Sequence, residues 1–266
     1  MKIRTIKRKK GFTLIELLVV IAIMAALAGV GYPLITSMMV AGDRQAASDN
    51  LKQIGTALNT FKTDIKTYPS DGAAKHARIT RTAEKHGEVT GTTSNPYFRQ
   101  LFYKKSGVNE ENFYAALPNF QKGDNNTGVG ETLKAGECAF SYVMRKPAVT
   151  DAPKKGGKNK KGAAPAEESS FRPVDNGPIA FCCATVNPDP TDMVDVTFDI
   201  SSFKGYAFAV TTDGKIVTME EEAMLEADES DSAIGRFIPG QEPFAKKNGV
   251  SEMDNCVLLS PEPLQQ

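Results

Sequence analysis

The chain has 266 residues, 41% of them apolar, and carries 32 basic and 32 acidic side chains. This length suffices for one large domain or two small ones. The balance of charge excludes a globally disordered chain and a strongly basic nucleic-acid binder. Only one stretch approaches the about 18 apolar residues that a membrane span requires, so a polytopic membrane protein is also excluded.

The N-terminal region combines a basic decapeptide with a long apolar run. Residues 1–10 hold six basic side chains and no acid, and residues 12–28 read FTLIELLVVIAIMAALA, with Glu16 as the one charge. Continued to Ile35, this run covers about 36 Å as a helix, which matches a hydrocarbon core. We therefore expect residues 12–35 to form a transmembrane helix, with the basic end in the cytoplasm and the remainder exported.

An ordinary secretory signal peptide, cleaved after Ala26-Leu27-Ala28, is the simplest alternative. Glu16 argues against it, because an ionised acid in a spanning helix costs about 2.5–3.5 kcal/mol and needs a partner. The helical pattern also continues past the cleavage point, since apolar residues spaced by four and three predict an amphipathic helix over residues 36–68. These residues are Ala47, Leu51, Ile54, Leu58, Phe61, Ile65 and Tyr68.

The segment Lys10-Gly11-Phe12-Thr13-Leu14-Ile15-Glu16, with its basic leader and apolar run, resembles the class III signal of type IV pilins and type II secretion pseudopilins. Pro33, twenty-one residues beyond Phe12, stands where this superfamily has a proline. Resemblance to major pseudopilins of the G type extends through residues 46–66 to Tyr68-Pro69, and it weakens beyond about residue 72.

The resemblance implies that residues 1–11 are a leader, removed between Gly11 and Phe12 by prepilin peptidase, and that the new Phe12 amine is methylated. It also implies assembly through the N-terminal helix, with Glu16 of one subunit neutralising the Phe12 amine of its neighbour. An intrachain pair at the same spacing is the alternative. The implied partners are pilin-like subunits, prepilin peptidase and an inner-membrane assembly platform.

Gly29, Gly31 and Pro33 lie within five residues of one another. Proline removes an intrahelical hydrogen bond and glycine lowers helix stability, so we expect the helix to bend here. The alternative is that these residues mark only the point where the span leaves the membrane.

Residues 69–266 are expected to form an exported α+β domain. Alternation of apolar and polar residues over 193–201 predicts a strand. The segments 205–212 and 215–219 are also expected to be strands, because they flank Asp213-Gly214, a strong two-residue hairpin motif. Further strands are expected at 137–145 and 178–186, and short helices at 96–105 and 109–117. The expected fold class is thus a type IV pilin-like lollipop, in which a long N-terminal helix packs on an antiparallel β-meander.

Residues 146–170 are of low complexity, with five lysines among the eight residues 154–161. Such a segment buries too little apolar surface to order itself, so we interpret it as a solvated loop inserted between two strands. Binding of polyanions such as DNA is the alternative, and we do not expect a nucleic-acid partner.

No catalytic motif was found, and we expect the chain not to be an enzyme. His76 and His86 lie in a polar stretch and are expected to be exposed to solvent. Some large prepilin-like proteins have a His ten residues before the Asp-Gly of a C-terminal hairpin. Phe203 stands there in this chain, so no role that depends on that His can be transferred.

No cofactor is expected apart from a weak candidate for Ca²⁺. Some pseudopilins hold this ion in a C-terminal loop, and Asp189, Asp192 and Asp195 offer hard oxygen ligands close together in sequence. A solvated acidic loop is the favoured interpretation. Asp124 with its neighbours Asn125 and Asn126 is a still weaker candidate and is better explained as a turn.

Four cysteines would enter an oxidising periplasm: Cys138, Cys182, Cys183 and Cys256. Adjacent cysteines on a strand point to opposite faces, so Cys182 and Cys183 could bridge one each to Cys138 and Cys256. Buried thiols are the alternative.

These patterns favour a structural subunit of a type IV pilus or type II secretion pseudopilus. It would be stored in the inner membrane as a single-pass protein, with its C-terminal domain in the periplasm, and would enter a periplasmic or cell-surface filament. The first alternative is a minor or tip pilin that acts as an adhesion or DNA-binding module. The second is a membrane-anchored exported binding protein.

Overall fold

The computed structural model describes residues 12–104, 108–126, 128–146, 171–174, 177–182, 184–185, 191–192, 197–199, 203–220, 234–236 and 256–264. The chain divides into two compact units, residues 1–42 and residues 43–266. The predicted loop at residues 146–170 lies outside the described residues, except for Lys146.

The first element is the long helix α1, Leu14–Ile65, with 52 residues. It reproduces the helix expected from the N-terminal run and the amphipathic stripe. Lys66 still donates its N–H to the Lys62 carbonyl at 2.9 Å, but it takes a positive φ of 72°. This left-handed conformation ends the helix, and Pro69 cannot resume it.

Within residues 43–266, α1 buries the stripe that the sequence predicts. All seven of its residues are at most 8% exposed and belong to one large apolar core: Ala47, Leu51, Ile54, Leu58, Phe61, Ile65 and Tyr68. The sheet residues of this core alternate along three strands: Tyr142, Met144, Phe208, Val210, Val257 and Leu259. The amphipathic helix and the sheet therefore cover each other, as predicted.

Gly55 lets α1 approach the sheet closely. A Cβ atom built on this residue would lie 2.5 Å from Cγ2 of Val210, which is far inside van der Waals contact. The helix and the strand that carries Val210 can pack at this separation only because residue 55 has no side chain.

The main sheet is antiparallel and has the strand order β5-β10-β1-β3-β7-β8, with β2 also paired to β1. Its strands are β1 Ser141–Arg145, β2 Arg172–Pro173, β3 Pro178–Cys182, β5 Thr191–Asp192, β7 Tyr206–Thr211, β8 Ile216–Glu220 and β10 Cys256–Leu259. A second, three-stranded sheet contains β4 Ala184–Thr185, β6 Thr197–Asp199 and β9 Ile234–Arg236. The α+β class and the antiparallel pairing are confirmed.

The other face of the main sheet carries a smaller apolar core. It contains Val143, Phe181, Ala207, Ala209, Cys256 and Leu258, which alternate with the residues of the larger core, together with Val174 and Met219. Because β1 and β10 are buried on both faces, they lack the apolar–polar alternation of a half-exposed strand.

The predicted hairpin at Asp213-Gly214 forms between β7 and β8, but its loop has three residues rather than two. Thr211 donates its N–H to the Lys215 carbonyl at 3.0 Å, and Gly214 donates to the Thr211 carbonyl at 2.9 Å. Only Gly214 of the motif takes a positive φ, 81°. A two-residue type I′ loop needs a positive φ at both central residues, whereas a three-residue loop needs one.

Other element boundaries depart from expectation. The strand predicted over 137–145 begins at Ser141, because the Glu137 carboxylate accepts the Lys134 N–H at 2.9 Å and holds a turn instead. The helix predicted at 96–105 consists of α4, Ser94–Arg99, followed by the 3-10 helix Gln100–Tyr103, and that predicted at 109–117 is the 3-10 helix Glu110–Phe113. Helices α2, Asp71–Ala74, and α3, Ala77–His86, were not predicted.

Several predicted strands are only partly described. The strand predicted at 178–186 is divided between β3 and β4, and the one predicted at 193–201 overlaps β6. Residues 183, 186, 193–196, 200 and 201 lie outside the described residues.

A carboxylic acid, Glu110, is fully buried in the larger unit. Its Oε1 accepts the Leu133 N–H at 2.9 Å, whereas its Oε2 is buried without a hydrogen-bond partner. Burial raises the pKa of this carboxyl, and the negative charges of Glu137 and Asp124 raise it further, against the opposing effect of the Leu133 bond. The protonated form is therefore favoured by folding.

We predict that Gly55→Ala destabilises the protein by about 1–3 kcal/mol, because the new methyl group would overlap Val210. Gly42→Ala is the matched control in the same helix, since its Cβ would meet nothing within 4 Å. Gly42→Ala should cause no loss of stability, because alanine is a better helix former than glycine by about 1 kcal/mol. Chemical denaturation of both variants measures the difference. Equal effects of the two substitutions would contradict the close contact.

We predict that Glu110→Gln reduces the pH dependence of stability on the alkaline side of 4.5, the ordinary pKa of this carboxyl. Below that value both the folded and unfolded states bind the proton. As pH rises through the raised folded pKa, the unfolded state releases its proton more readily, so the wild type loses stability. Denaturation midpoints of both proteins across this range give the comparison. Parallel pH profiles would show that Glu110 does not titrate as its burial requires.

Candidate functional site

Apolar side chains are exposed all around the N-terminal part of α1, in the unit formed by residues 1–42. Among the side chains that the structure describes, fifteen large hydrophobic residues between Phe12 and Met39, which we call the apolar segment, are 47–86% exposed. They are Phe12, Leu14, Ile15, Leu17, Leu18, Val19, Val20, Ile21, Ile23, Met24, Leu27, Tyr32, Ile35, Met38 and Met39. A helix that is apolar on every side requires an apolar surrounding on every side.

Among the described residues, no helix is long and apolar enough to meet the criteria for a membrane-spanning segment. The transmembrane assignment of residues 12–35 stays a prediction.

Helical backbone continues through Gly29, Gly31 and Pro33 without interruption. A Cβ atom at Gly29 would meet nothing within 4 Å, so packing does not explain this glycine. A bend at these three residues stays a prediction.

Thr13 and Glu16 form a capping box at the start of α1. The Thr13 N–H and hydroxyl donate to Glu16 Oε2 at 2.8 and 2.7 Å, and the Glu16 N–H donates to Thr13 Oγ1 at 3.3 Å. Reciprocal bonds of this kind satisfy backbone donors that the first turn of a helix leaves open. The Thr-x-x-Glu spacing typical of this cap is visible in the sequence, although the cap was not among the predictions.

The cap leaves one of the two carboxylate oxygens of Glu16 available for another interaction. Both Thr13 donors bind the same oxygen, Oε2, and within the described part of the chain no hydrogen bond to Oε1 of Glu16 is present. Glu16 can therefore begin its own helix and accept a cation at the same time. The predicted cleavage site lies between Gly11 and Phe12. Gly11 is outside the described residues, whereas Phe12, immediately before the cap, is 86% exposed.

The predicted Ca²⁺ ligands are not tested by the structure. Asp192 lies in β5, where it is paired with Val257 of β10, whereas Asp189 and Asp195 lie outside the described residues. Asp124 accepts the Asn126 N–H at 2.8 Å and pairs with Lys134 at 3.2 Å, so its carboxylate already has two contacts within the chain. In the ranges that the structure describes, no three acidic, His or Cys side chains are grouped so that they could hold a metal ion.

Two of the four cysteines, Cys138 and Cys256, are buried thiols. They belong to different apolar cores, Cys138 to the larger and Cys256 to the smaller. Burial raises the pKa of Cys138 to about 12, so this thiol is protonated and unreactive. Cys182 lies in β3 and Cys183 lies outside the described residues, and the predicted pairings with them stay predictions.

The predicted exposure of the two histidines is confirmed for His76 and wrong for His86. His76 is exposed, and its Nδ1 accepts the Arg78 N–H at 3.3 Å to cap α3. His86 is only 5% exposed. Its Nδ1 lies 2.9 Å from Thr132 Oγ1, and its ring packs against Phe102 with ring centroids 5.7 Å apart. Burial, and secondarily Lys85, lowers its pKa. Phe203 is a core residue packed edge-on against Phe208.

Comparison with known proteins supports the resemblance carried by the N-terminal motif. The family model described as prokaryotic N-terminal methylation motif matches residues 6–32. The chain is 35% identical over 94 residues to type II secretion system core protein G of Pectobacterium carotovorum subsp. carotovorum, covering 35% of this chain and 60% of that protein. It is 33% identical over 81 residues to the protein of the same name from Klebsiella pneumoniae, covering 30% and 58%.

The chain thus spans 60% or less of the length of these curated relatives. No solved structure matches the chain. The methylation motif covers the capping box and most of the apolar segment. The chain thus carries the prokaryotic N-terminal methylation motif over residues 6–32 and is similar over part of its length to type II secretion system core protein G.

Proposed function

We propose that this chain is a structural subunit of a filament, most specifically a type II secretion pseudopilus, and that it polymerises through the apolar segment. The observation that carries this proposal is the exposure of fifteen large apolar side chains on every side of one helix. The names of the curated relatives, type II secretion system core protein G, favour a secretion pseudopilus over a type IV pilus.

The free energy of burial supports assembly. Each large apolar side chain contributes about 1.5–3 kcal/mol when it is fully covered. Fifteen such residues together exceed the about 4–15 kcal/mol that association costs in lost translational and rotational freedom. Once a filament has left the membrane, the apolar segment can therefore hold its subunits together even if only part of its surface is covered, because the alternative surrounding is then water.

Before assembly, lipid would provide the apolar surrounding. A helix over residues 12–35 covers about 36 Å, close to the thickness of a hydrocarbon core with some tilt. The six basic residues at positions 1–10 would hold that end in the cytoplasm. The proposed topology is a single-pass inner-membrane protein with residues 69–266 in the periplasm, and movement of the helix from lipid into the fibre keeps it covered throughout.

Processing would prepare Glu16 for its role in assembly. Prepilin peptidase would cut between Gly11 and Phe12, and methylation of the new amine keeps its positive charge. The open oxygen of Glu16, Oε1, could then accept the Phe12 amine of a neighbouring subunit while Oε2 continues to cap the helix. Opposite charges attract strongly in an apolar surrounding, so this pair would fix the axial register of subunits. The proposed partners are other pilin-like subunits, the peptidase and an inner-membrane assembly platform.

We predict that the mature chain begins with N-methylated Phe12. Intact-mass and N-terminal peptide mass spectrometry of protein purified from cells that contain prepilin peptidase would test this. Gly11→Val should retain the leader, because the branched side chain shields the scissile peptide that glycine leaves open. A mature wild-type chain that begins at Gly29 would instead establish an ordinary secretory signal peptide.

We predict that assembly needs the charge of Glu16 and not only its cap. Glu16→Gln keeps an oxygen that can accept the Thr13 N–H but removes the charge, and it should abolish filaments while membrane insertion continues. Thr13→Val is the matched control, because it removes the hydroxyl but leaves the carboxylate, and it should cost only about 0.5–2 kcal/mol of local helix stability.

The amount of each variant in sheared filaments, compared with its amount in membranes, is the measurement. Normal filaments from Glu16→Gln would contradict intersubunit charge pairing. Loss of filaments from Thr13→Val alone would assign Glu16 a purely local role in capping.

A further inference from the structure

A basic cleft of about 440 Å³ lies in the larger unit, between α3 and the 3-10 helix Gln100–Tyr103. Four cations line it: Arg78, Arg81, Lys85 and Lys104. The first three, with Thr82, recur at intervals of three and four residues, so they occupy one face of α3. This volume lies within the range of sites that bind small ligands.

Three of these cations form no ion pair within 4 Å in the described part of the chain, although the charge of Arg78 also acts on Asp64. Lys104 pairs with Asp64, which also accepts the Tyr103 hydroxyl. Arg78, Arg81 and Lys85 form no ion pair among the described residues, although Arg81 and Lys85 are like charges one helical turn apart. Such a pair disfavours the helix unless an anion lies between the two side chains.

Another arginine in the same unit shows how the fold uses a guanidinium for structure. Arg99 donates to the carbonyls of Thr132, Glu88 and Leu133 at 2.7, 3.1 and 3.0 Å. The guanidinium donors of Arg99 are therefore occupied by backbone carbonyls of the same chain. The two arginines of the cleft line an open cavity instead, and among the described residues their guanidinium groups form no hydrogen bond that would occupy their donors.

The part of the cleft that residues 102–104 form combines two aromatic side chains with Lys104. Phe102 and Tyr103 line it, and Tyr103 is held edge-on against Phe61 of α1 with ring centroids 5.3 Å apart. The Tyr103 hydroxyl also donates a hydrogen bond to Asp64, which restrains the position of this ring. Aromatic rings beside several cations suit a ligand with a compact charged head and a less polar body.

We propose that the basic cleft binds a phosphorylated ligand through Arg78, Arg81 and Lys85. A phosphoryl group carries a charge of about −1.5 to −2 and three strong acceptor oxygens in one compact group. The guanidinium fork can bind two of these oxygens at once, and a lysine ammonium adds a point charge. A single carboxylate offers one charge and two oxygens, which is fewer than three converging cations can use. This proposal is independent of filament assembly.

Isothermal titration of full-length protein in non-ionic detergent with inorganic pyrophosphate tests the proposal. Wild type should bind saturably, and the double variant Arg81→Gln, Lys85→Gln should bind at least about tenfold more weakly, because it loses two charge-assisted contacts. The matched control is Lys52→Gln, Lys204→Gln, which removes two exposed cations outside the cleft and should leave binding unchanged. Circular dichroism of each variant checks the fold.

The comparison ligands define the chemistry. Citrate should bind more weakly than pyrophosphate at equal ionic strength if the cleft recognises phosphoryl groups. Soluble glycerol phosphate and phosphatidic acid added to the micelles distinguish a soluble ester from a lipid headgroup, and preferential binding of either supports the proposal. Absence of saturable binding by wild type, equal losses in the two double variants, or citrate binding as tightly as pyrophosphate would overturn it.

Discussion

Hydrophobic burial makes two different demands on one helix, and the rest of the structure depends on how they are met. From Ala47 onward, α1 carries a narrow apolar stripe that its own chain covers with a sheet. From Phe12 to Met39 it is apolar on every side, and the described part of the chain leaves fifteen large side chains of this segment exposed. A surface of that kind must be covered by lipid or by other subunits, because its exposure to water is strongly unfavourable.

The capping box shows how a charged residue can be tolerated at the start of such a helix. Glu16 satisfies backbone and side-chain donors of Thr13, so its carboxylate has a structural role before any neighbour is present. Because both bonds use the same oxygen, the proposed pairing with an amine does not require the cap to break. Local folding and assembly can thus share one side chain without competing for it.

The sequence predicted best where a pattern repeats or where local chemistry decides the conformation. The stripe from Ala47 to Tyr68 was found because its spacing persists over three heptads, and the hairpin because Asp213-Gly214 favours a tight turn. Strand β10 escaped prediction because Cys256–Leu259 is buried on both faces and so does not alternate. Helix α3 escaped because Ile79 is the one large apolar residue on its buried side.

The candidate sites show the same division between local and tertiary information. Phe12 and Glu16 were identified from a short motif, and the capping box was visible in the same residues but overlooked. The burial of His86 and Glu110 could not be predicted, because their neighbours in sequence are polar and their cover comes from residues 16–46 positions away, such as Phe102, Thr132 and Leu133. The basic cleft likewise needs α3 and residues 102–104 to be brought together.

A reconstruction of sheared filaments by electron cryo-microscopy would test the central claim most directly. We predict that helices from neighbouring subunits meet through residues 12–39 and form the interior of the fibre, with the sheet domains outside. Filaments held together only by contacts between sheet domains, with residues 12–39 facing solvent, would contradict it.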